Sequence, residues 1–335
     1  MNGVGNKLRR AKYAAPLCGS FALCLIAISA AKDRPERVNL FPRVQAGQVL
    51  AYQISYHSDK HVNTQSTLIV ATPDNSEKID VNALLRLEIL AVQVQGGHAV
   101  IRARSKFEDS DSHLNAAHMK PAAEHVSKQD SHEKFVQFTI LPDGNLDQIA
   151  GLDAFLPEQQ QAWQEWASRF LLAAAVRGPG VRLAQKWNSE EAEKPSSPIA
   201  GLRWVRESTY VRDEPCRTMQ RTAQGSLATS DAEPETCAVI LTNATLKQNS
   251  KAKNTTPEDF KLHELRTTGT AQGANRIITY ISLKTGLLIR ATEEATQQMN
   301  VTVAKADGSN RVHYDVDAKS RSEIVMVSKP PLNNP

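Results

Sequence analysis

The chain has 335 residues, with 40 lysines and arginines against 36 acids and a formal net charge of +4. Four of those bases lie in the first 31 residues, which contain no acid, so the rest of the chain is formally neutral. Because the basicity belongs to the N-terminus alone, nucleic acid is excluded as a predicted partner. About 300 residues remain, enough for one large domain or two ordinary ones.

Residues 1–31 have the organisation of a signal peptide. A basic segment around Arg9-Arg10 precedes an apolar stretch, Leu17 to Ile28, and the small residues Ser29-Ala30-Ala31 follow it. Because the apolar stretch is shorter than the roughly 20 residues of a membrane-spanning helix, cleavage after Ala31 is predicted and no stable span is expected afterwards. An uncleaved anchor is the alternative. The predicted location is outside the cytoplasm, either periplasmic or extracellular.

Residues 38–187 are predicted to form an antiparallel β unit with a helix over 157–177. Apolar and polar residues alternate from Val49 to Tyr56 and again from His98 to Phe107, as in strands with one buried face. Glu108 to Lys134 is polar and carries four of the nine histidines, so it is predicted to be a loop.

Pro157 opens the helical pattern, and Gly178-Pro179-Gly180 ends it. The apolar positions recur at helical spacing and are Trp163, Trp166, Ala167, Phe170, Leu171 and Ala174. Such a stripe cannot face water, so the helix is expected to pack lengthwise on a concave sheet, while Gln164 and Glu165 are expected to be solvated.

Residues 200–329 alternate again and are predicted to form a second antiparallel β unit. The predicted fold class is therefore mainly β, with curved antiparallel sheets in two half-barrel-like meanders and one central covering helix.

Cys216 and Cys237 are the cysteines that remain after cleavage, and they are predicted to form a disulfide. A chain reversal at residues 224–226 places the two cysteines about opposite each other. A reversal at 231–235 would instead separate them by roughly 33 Å along a strand. The first arrangement is favoured because lone thiols are uncommon in exported proteins.

No catalytic motif is present, and neither catalytic residues, a metal nor a cofactor is predicted. His132-Glu133 and His263-Glu264 lack the second histidine of a zinc-protease helix. The carboxylate pairs Asp109/Asp111 and Asp315/Asp317 have the spacing of a solvated strand face. The remaining candidates are Trp163, Trp166 and Phe170, which either line a ligand pocket or fill a core.

The segments FTILPDGNLDQI and YISLKTGLLIRATEEA, with the Gly-Pro-Gly helix end and Trp187 between them, give the chain a recognisable order of elements. This order resembles uncharacterised exported bacterial β-rich proteins of domain-of-unknown-function families. More loosely, a curved sheet covered by one helix is similar to the lipoprotein-carrier half-barrels of the bacterial envelope. That similarity implies acyl chains held between sheet and helix, and it carries over no binding residue.

Three functions follow as hypotheses. The first is non-enzymatic binding of an apolar or amphipathic ligand between sheet and helix. The second is a structural or assembly module of the bacterial envelope with a solid core, whose partner is another envelope component. The third is an envelope hydrolase, for which the sequence offers no site.

Overall fold

In the computed structural model the described residues are 37–66, 75–95, 98–116, 134–171, 180–192, 197–222, 226–248 and 256–328. The first strands are β1 (Val49–Ser66), β2 (Asn75–Gln95), β3 (His98–Ala116), β4 (Val136–Ile140), β5 (Leu146–Ala150) and β6 (Lys186–Ala192). The later strands are β7 (Leu202–Cys216), β8 (Met219–Arg221), β9 (Leu227–Thr229), β10 (Glu235–Gln248), β11 (Leu265–Ser282), β12 (Leu288–Lys305) and β13 (Val312–Ser328). The helices are a 3-10 turn (Leu152–Ala154), α1 (Pro157–Phe170) and α2 (Glu258–Leu262).

All thirteen strands belong to one open sheet. Its order is β5-β4-β3-β2-β1-β13-β12-β11-β10-β7-β6, and neighbours in this order are antiparallel. The β8–β9 hairpin joins the end of β13, to which β8 is parallel. Within the described ranges, α1 is the single helix of seven residues or more. The prediction of a mainly β, antiparallel fold with one long helix is confirmed.

The first and last strands join the two meanders. β1 pairs with β13 from Ala51–Val327 to Ser66–Val312. Strands β1 to β5 come from the predicted unit 38–187, and β7 to β13 come from the predicted unit 200–329. Each range therefore supplies one half of the strands in a shared sheet. β6 begins at the end of the first range in sequence and lies at the edge of the sheet, beside β7. That each range is a domain by itself stays a prediction.

One face of the sheet carries α1 and is called the inner face. On β1, Tyr52, Ile54 and Tyr56 point to the inner face and are buried, whereas Gln53 and Ser55 between them are partly exposed. The same alternation continues on β2, β3, β4, β12 and β13, whose inner side chains form the largest apolar core together with α1. The alternation seen in the sequence thus marks which face is covered.

α1 begins at Pro157, as predicted. Proline lacks an N–H that the first turn would leave unpaired anyway, and the Leu156 N–H donates to Gln159 Oε1 at 3.2 Å. The helix ends at Phe170, and of the predicted extension to 177 the part beyond Leu171 lies outside the described residues.

The helix crosses the strands. Gln159 Nε2 donates to Ser110 Oγ on β3 at 2.8 Å, and Arg169 pairs with Glu293 on β12, four strands away. Ten residues of helix rise about 15 Å, and four strand spacings cover about 19 Å. These lengths are comparable, so the axis of α1 runs across the sheet from β3 to β12.

The predicted loop from Glu108 to Lys134 is wrong in its first part. β3 continues to Ala116 and pairs with β2 from Leu84–Asp109 to Glu77–Ala116. Polar side chains do not prevent a strand when a neighbouring strand supplies the backbone hydrogen bonds. Residues 117–133, which include three of the loop histidines, lie outside the described part of the chain.

Cys216 and Cys237 form the predicted disulfide, with Cα atoms 5.8 Å apart. Glu235 pairs with Cys216 and Cys237 pairs with Glu214, so the cysteines are diagonal neighbours on β7 and β10. The N–H of Thr222 donates to the carbonyl of Ser226 at 2.8 Å, next to the paired residues of β8 and β9. Most of the connection between the two cysteines folds back on itself as the β8–β9 hairpin. The two cysteines can therefore be neighbours on β7 and β10.

Reducing this disulfide is expected to lower the free energy of unfolding by about 3 kcal/mol, because the bridge closes a loop with a sequence separation of 21. The Cys216→Ser/Cys237→Ser variant should show the same loss. Urea unfolding of wild-type protein with and without a reductant measures it. A wild-type midpoint that does not respond to the reductant would contradict the prediction.

Candidate ligand-binding site

The three aromatic candidates lie in the contact between α1 and the sheet. Trp163, Trp166 and Phe170 are only 2, 0 and 3% exposed. Trp166 stacks on Phe170 with ring centroids 5.2 Å apart, and it also contacts Tyr52 of β1 at 5.8 Å and Phe138 of β4 at 6.2 Å. These are favourable aromatic geometries inside a packed core. Their role as the lining of a ligand pocket stays a prediction.

Some buried polar atoms near α1 have hydrogen-bond partners and others have none. Trp163 Nε1 donates to Ser105 Oγ at 2.8 Å. In contrast, several buried atoms on the inner face lack a partner among the described residues: Tyr52 Oη, Trp166 Nε1, Asn275 Oδ1, Thr279 Oγ1 and Gln297 Nε2. Buried polar groups are paired in the great majority of cases, because leaving one unpaired costs about 1–3 kcal/mol. Of these atoms, Tyr52 Oη and Trp166 Nε1 belong to rings that meet in the contact between α1 and the sheet, whereas Thr279 and Gln297 lie apart from it on β11 and β12.

A buried charged cluster lies where the end of α1 meets the sheet. Arg169 contacts Glu293 of β12 and, at 3.0 Å, Glu165 of α1. Asn275 Nδ2 of β11 and Ser322 Oγ of β13 also donate to Glu293. The Arg169 and Glu293 side chains are 3 and 7% exposed, so this ion pair is almost fully removed from water. Glu165 is half-buried, whereas it was predicted to be solvated.

The cluster shifts the acid–base behaviour of its members. Burial alone raises the pKa of Glu293, but the charge of Arg169 and hydrogen bonds with Glu165, Arg169 and Asn275 outweigh it and hold that pKa below its usual range. Burial, together with the charge of Glu165, raises the pKa of Tyr56 to about 12. Glu293 is therefore a buried carboxylate whose charged form depends on Arg169.

Beyond α1 the inner face is less covered. Val62 of β1 pairs with Val316 of β13, Val316 pairs with Met299 of β12, and Met299 pairs with Ala271 of β11. These four residues and Tyr314, which we call the distal trough, are all partly exposed. The outer face of the same strands is instead charged or polar, as an ordinary solvated face is. The inner side chains between the core and the distal trough include Ser58, Lys60 and Ser320, so the trough is a separate apolar patch on the same face.

One side of the distal trough is bounded by a small core cluster. Ile199, in the segment before β7, packs with Leu202, Leu246 and Val301, and Met299 packs against this cluster. At the other ends of β7, β10 and β11 the cover is different. There Val38 pairs with Val181, and Leu40 packs with Tyr210. The less covered part of the inner face therefore lies on β1, β13 and β12.

The histidines of β1 do not form a site. His57 and His61 lie on the outer face and contact Asp80 at 2.5 Å and Asp59 at 3.2 Å. Among the described residues no group of three or more His, Cys, Asp or Glu side chains is placed to hold a metal. Likewise, no helix in that part of the chain is both long and apolar enough to cross a membrane.

A cleft of about 600 Å³, which the sequence did not indicate, lies beside the disulfide. Its lining includes Glu235, Thr236, Leu283 and Lys284. Glu235 accepts a hydrogen bond from Ser282 Oγ, so its carboxylate already has a partner. The lining contains no histidine or cysteine and forms no nucleophile–base pair.

Comparisons with known proteins give distant likenesses. No family model matches the chain, and no curated protein sequence does. A structure of lipovitellin, described for its lipid–protein interactions, matches 87% of this chain at 10% identity with a TM-score of 0.38; this chain spans 26% of its length. A predicted lipoprotein from Parabacteroides distasonis matches 87% of this chain and 97% of its own at 8% identity with a TM-score of 0.23. Such low scores support no conclusion about function, and the resemblance to lipoprotein carriers stays a prediction.

Proposed function

We propose that the protein is an exported, non-enzymatic binding protein that holds an apolar or amphipathic ligand against the inner face of its sheet, beside α1. The observation that supports this most is the distal trough. Where a sheet face is open to water, it normally carries polar side chains. The distal trough is open to water but apolar. Partly exposed apolar patches are instead typical of binding surfaces.

In this proposal the aromatic candidates form the closed end of the ligand space. Trp163, Trp166 and Phe170 fill the core where α1 crosses β1. The inner face continues from there past Ser58 and Lys60 to the distal trough.

Export is part of the proposal. The disulfide between Cys216 and Cys237 supports it, because disulfides persist in oxidising compartments outside the cytoplasm. The predicted signal peptide, residues 1–31, lies outside the described residues. N-terminal sequencing of the exported protein would test cleavage after Ala31.

A structural or assembly module with a solid core is the second candidate. The nearly complete burial of Trp163, Trp166 and Phe170 favours it, since these side chains already fill the space beneath α1. The two candidates differ in what they expect of the distal trough: a ligand site in the first, and a surface without ligand affinity in the second.

Binding of the hydrophobic fluorescent probe N-phenylnaphthylamine tests the proposal. Wild-type protein is expected to bind it, and Val316→Lys should weaken binding on the order of tenfold or more, because a lysine in the apolar row must stay hydrated. Native mass spectrometry of protein purified from its own host would identify a co-purifying lipid.

Asp317→Lys is the matched control. Asp317 neighbours Val316 on β13 but points to the exposed outer face, so the same lysine should leave probe binding unchanged. Absence of probe binding by the wild type, or equal binding by the Val316→Lys variant, would favour the solid-core module.

A further inference from the structure

β6 is one of the two outermost strands of the sheet. It pairs with β7 from Lys186–Thr209 to Ala192–Arg203, and among the described residues no strand pairs with its other edge. The backbone N–H and C=O groups along an open edge are a template for a further strand. The edge of β6 is therefore a surface that another extended chain can bind.

The other outermost strand, β5, is poorly suited to this. It has five residues, only three of them pair with β4, and the register shifts between them. Gln148 at its centre has a φ of 53°, in the left-handed region, which interrupts the extended backbone. Irregular edges of this kind prevent edge-to-edge association. β6 is seven residues long and keeps one register with β7, so its edge is regular.

The outer face of β6 carries charges of both signs in a self-complementary order. Lys186, Asn188 and Glu190 all point to this face and are exposed. Read in the opposite direction, the same positions are acidic, neutral and basic. An antiparallel second copy of β6 therefore presents opposite charges at both ends, and directly opposite charges stabilise a strand pair.

This complementarity selects one register. Directly opposite residues in a sheet share a face, so a two-fold axis that relates two copies must pass beside a residue of β6. Three registers pair five or more residues of the strand, with the axis at Asn188, Ser189 or Glu190. The axis at Asn188 places Lys186 opposite Glu190 of the second copy, twice. The axis at Ser189 places Lys186 opposite Ala192, and the axis at Glu190 places two carboxylates opposite each other.

We infer that the open edge of β6 binds β6 of a second copy of this chain, antiparallel about a two-fold axis at Asn188. The two sheets then form one continuous sheet with both inner faces on the same side. Within one chain Lys186 contacts Glu207 of β7 at 2.9 Å, and Glu190 contacts Arg203 of β7 at 3.3 Å. The new contacts between Lys186 and Glu190 join these ion pairs, so that charges alternate across four strands of the dimer.

The inner face of β6 contributes an apolar contact. Trp187 is partly exposed and packs against the cluster that contains Leu40 and Tyr210. With the axis at Asn188, Trp187 lies opposite Ser189 of the second copy and diagonal to its Trp187. Diagonal neighbours of an antiparallel pair are about 7–8 Å apart, a distance that aromatic side chains span. The two tryptophans therefore contact each other beside the axis.

Sedimentation equilibrium of two charge variants tests the inference. Wild-type protein is expected to be a dimer at micromolar concentrations. Lys186→Glu and Glu190→Lys each replace two attractive contacts by two repulsive ones, so each should weaken dimerisation on the order of tenfold or more. An equimolar mixture of these variants should form a heterodimer about as tight as the wild-type dimer, because one copy then presents only acids and the other only bases at these positions.

Asp147→Lys is the matched control, because Asp147 is an exposed acid on the other outermost strand, β5. This charge reversal should leave dimerisation unchanged. A monomeric wild type, a dimer that neither β6 variant weakens, or a mixture that associates no more tightly than the separate variants would each overturn the inference.

A cross-link tests the position of the axis. Asn188→Cys places two thiols directly opposite each other, so oxidation should give a covalent dimer on a non-reducing gel. Glu207→Cys is its control: Glu207 pairs with Asn188 from β7 and would lie three strand spacings, about 14 Å, from its own copy, too far for a disulfide. A wild-type dimer in which Asn188→Cys stays unlinked would place the contact on another surface and overturn the inference.

Discussion

Replacing Trp166 by alanine is expected to lower the free energy of unfolding by about 3–5 kcal/mol, as truncations of large buried side chains do. Trp166 is fully buried and contacts Tyr52, Phe138, Trp163 and Phe170. The change removes one of the side chains through which α1 contacts β1 and β4. Urea unfolding followed by circular dichroism measures the loss.

Two other variants interpret that result. Trp166→Phe keeps an aromatic ring and removes the unpaired indole N–H, so it should cost clearly less than alanine. Leu262→Ala, at a side chain that is 80% exposed, should change stability by less than about 0.5 kcal/mol. A small loss for Trp166→Ala combined with altered probe binding would place a ligand space directly beneath α1. Unchanged stability and unchanged probe binding would mean that Trp166 is not buried as described.

Features that depend on local sequence were predictable. Alternation identified the buried faces near Tyr52 and Phe107, and Pro157 marked the start of α1. The aromatic stripe identified which side of α1 is covered. These features follow from periodicity and from the backbone chemistry of proline, which act over a few residues.

Features that depend on distant partners were not predictable. β1 continues through the polar residues between Tyr56 and Thr64 because β2 and β13 pair with it on both sides. Nothing in the alternation near residue 51 indicates a partner near residue 327. The sequence therefore indicated two meanders, and only the β1–β13 pairing joins them in one sheet.

The charged cluster was missed although one signal was available. Arg169 lies three residues after Trp166 and beside Phe170, which places a basic residue within the apolar stripe of α1. Such a residue needs a buried partner. Its partner Glu293 gave no comparable signal, because Glu293 and Glu294 are adjacent and only the register of β12 decides which one points inward.

Replacing Arg169 by alanine is expected to cost about 3–5 kcal/mol of stability, because it leaves the Glu293 carboxylate buried without its counter-charge. The double variant Arg169→Met/Glu293→Leu should recover most of this loss, since it removes both charges and keeps apolar volume. Arg203→Ala is the control: its pair with Glu190 is about half exposed, so its loss should be below about 1 kcal/mol. A double variant as unstable as Arg169→Ala would show that the loss comes from packing rather than from the charge.

The same ion pair predicts the direction of a pH effect. The pKa of Glu293 is lower in the folded protein than its usual value of 4.5, so the folded state binds fewer protons at this group than the unfolded state. Its stabilising contribution is therefore complete above that usual value and is lost as the pH falls through the lowered pKa. Arg169, Glu165, Asn275, Ser322 and Tyr56 surround the carboxyl from α1, β11, β13 and β1.

Glu293→Gln measures this contribution, because the amide keeps the shape and cannot ionise. Urea unfolding from about pH 6 to about pH 3 should show the largest stability difference between wild type and this variant at pH 6, and a shrinking difference toward pH 3. Glu294→Gln, on the exposed outer face, should show little difference at any pH. A Glu293→Gln difference that is constant across this range would mean that the folded-state pKa of Glu293 is not lowered, and that Arg169 does not stabilise its charged form.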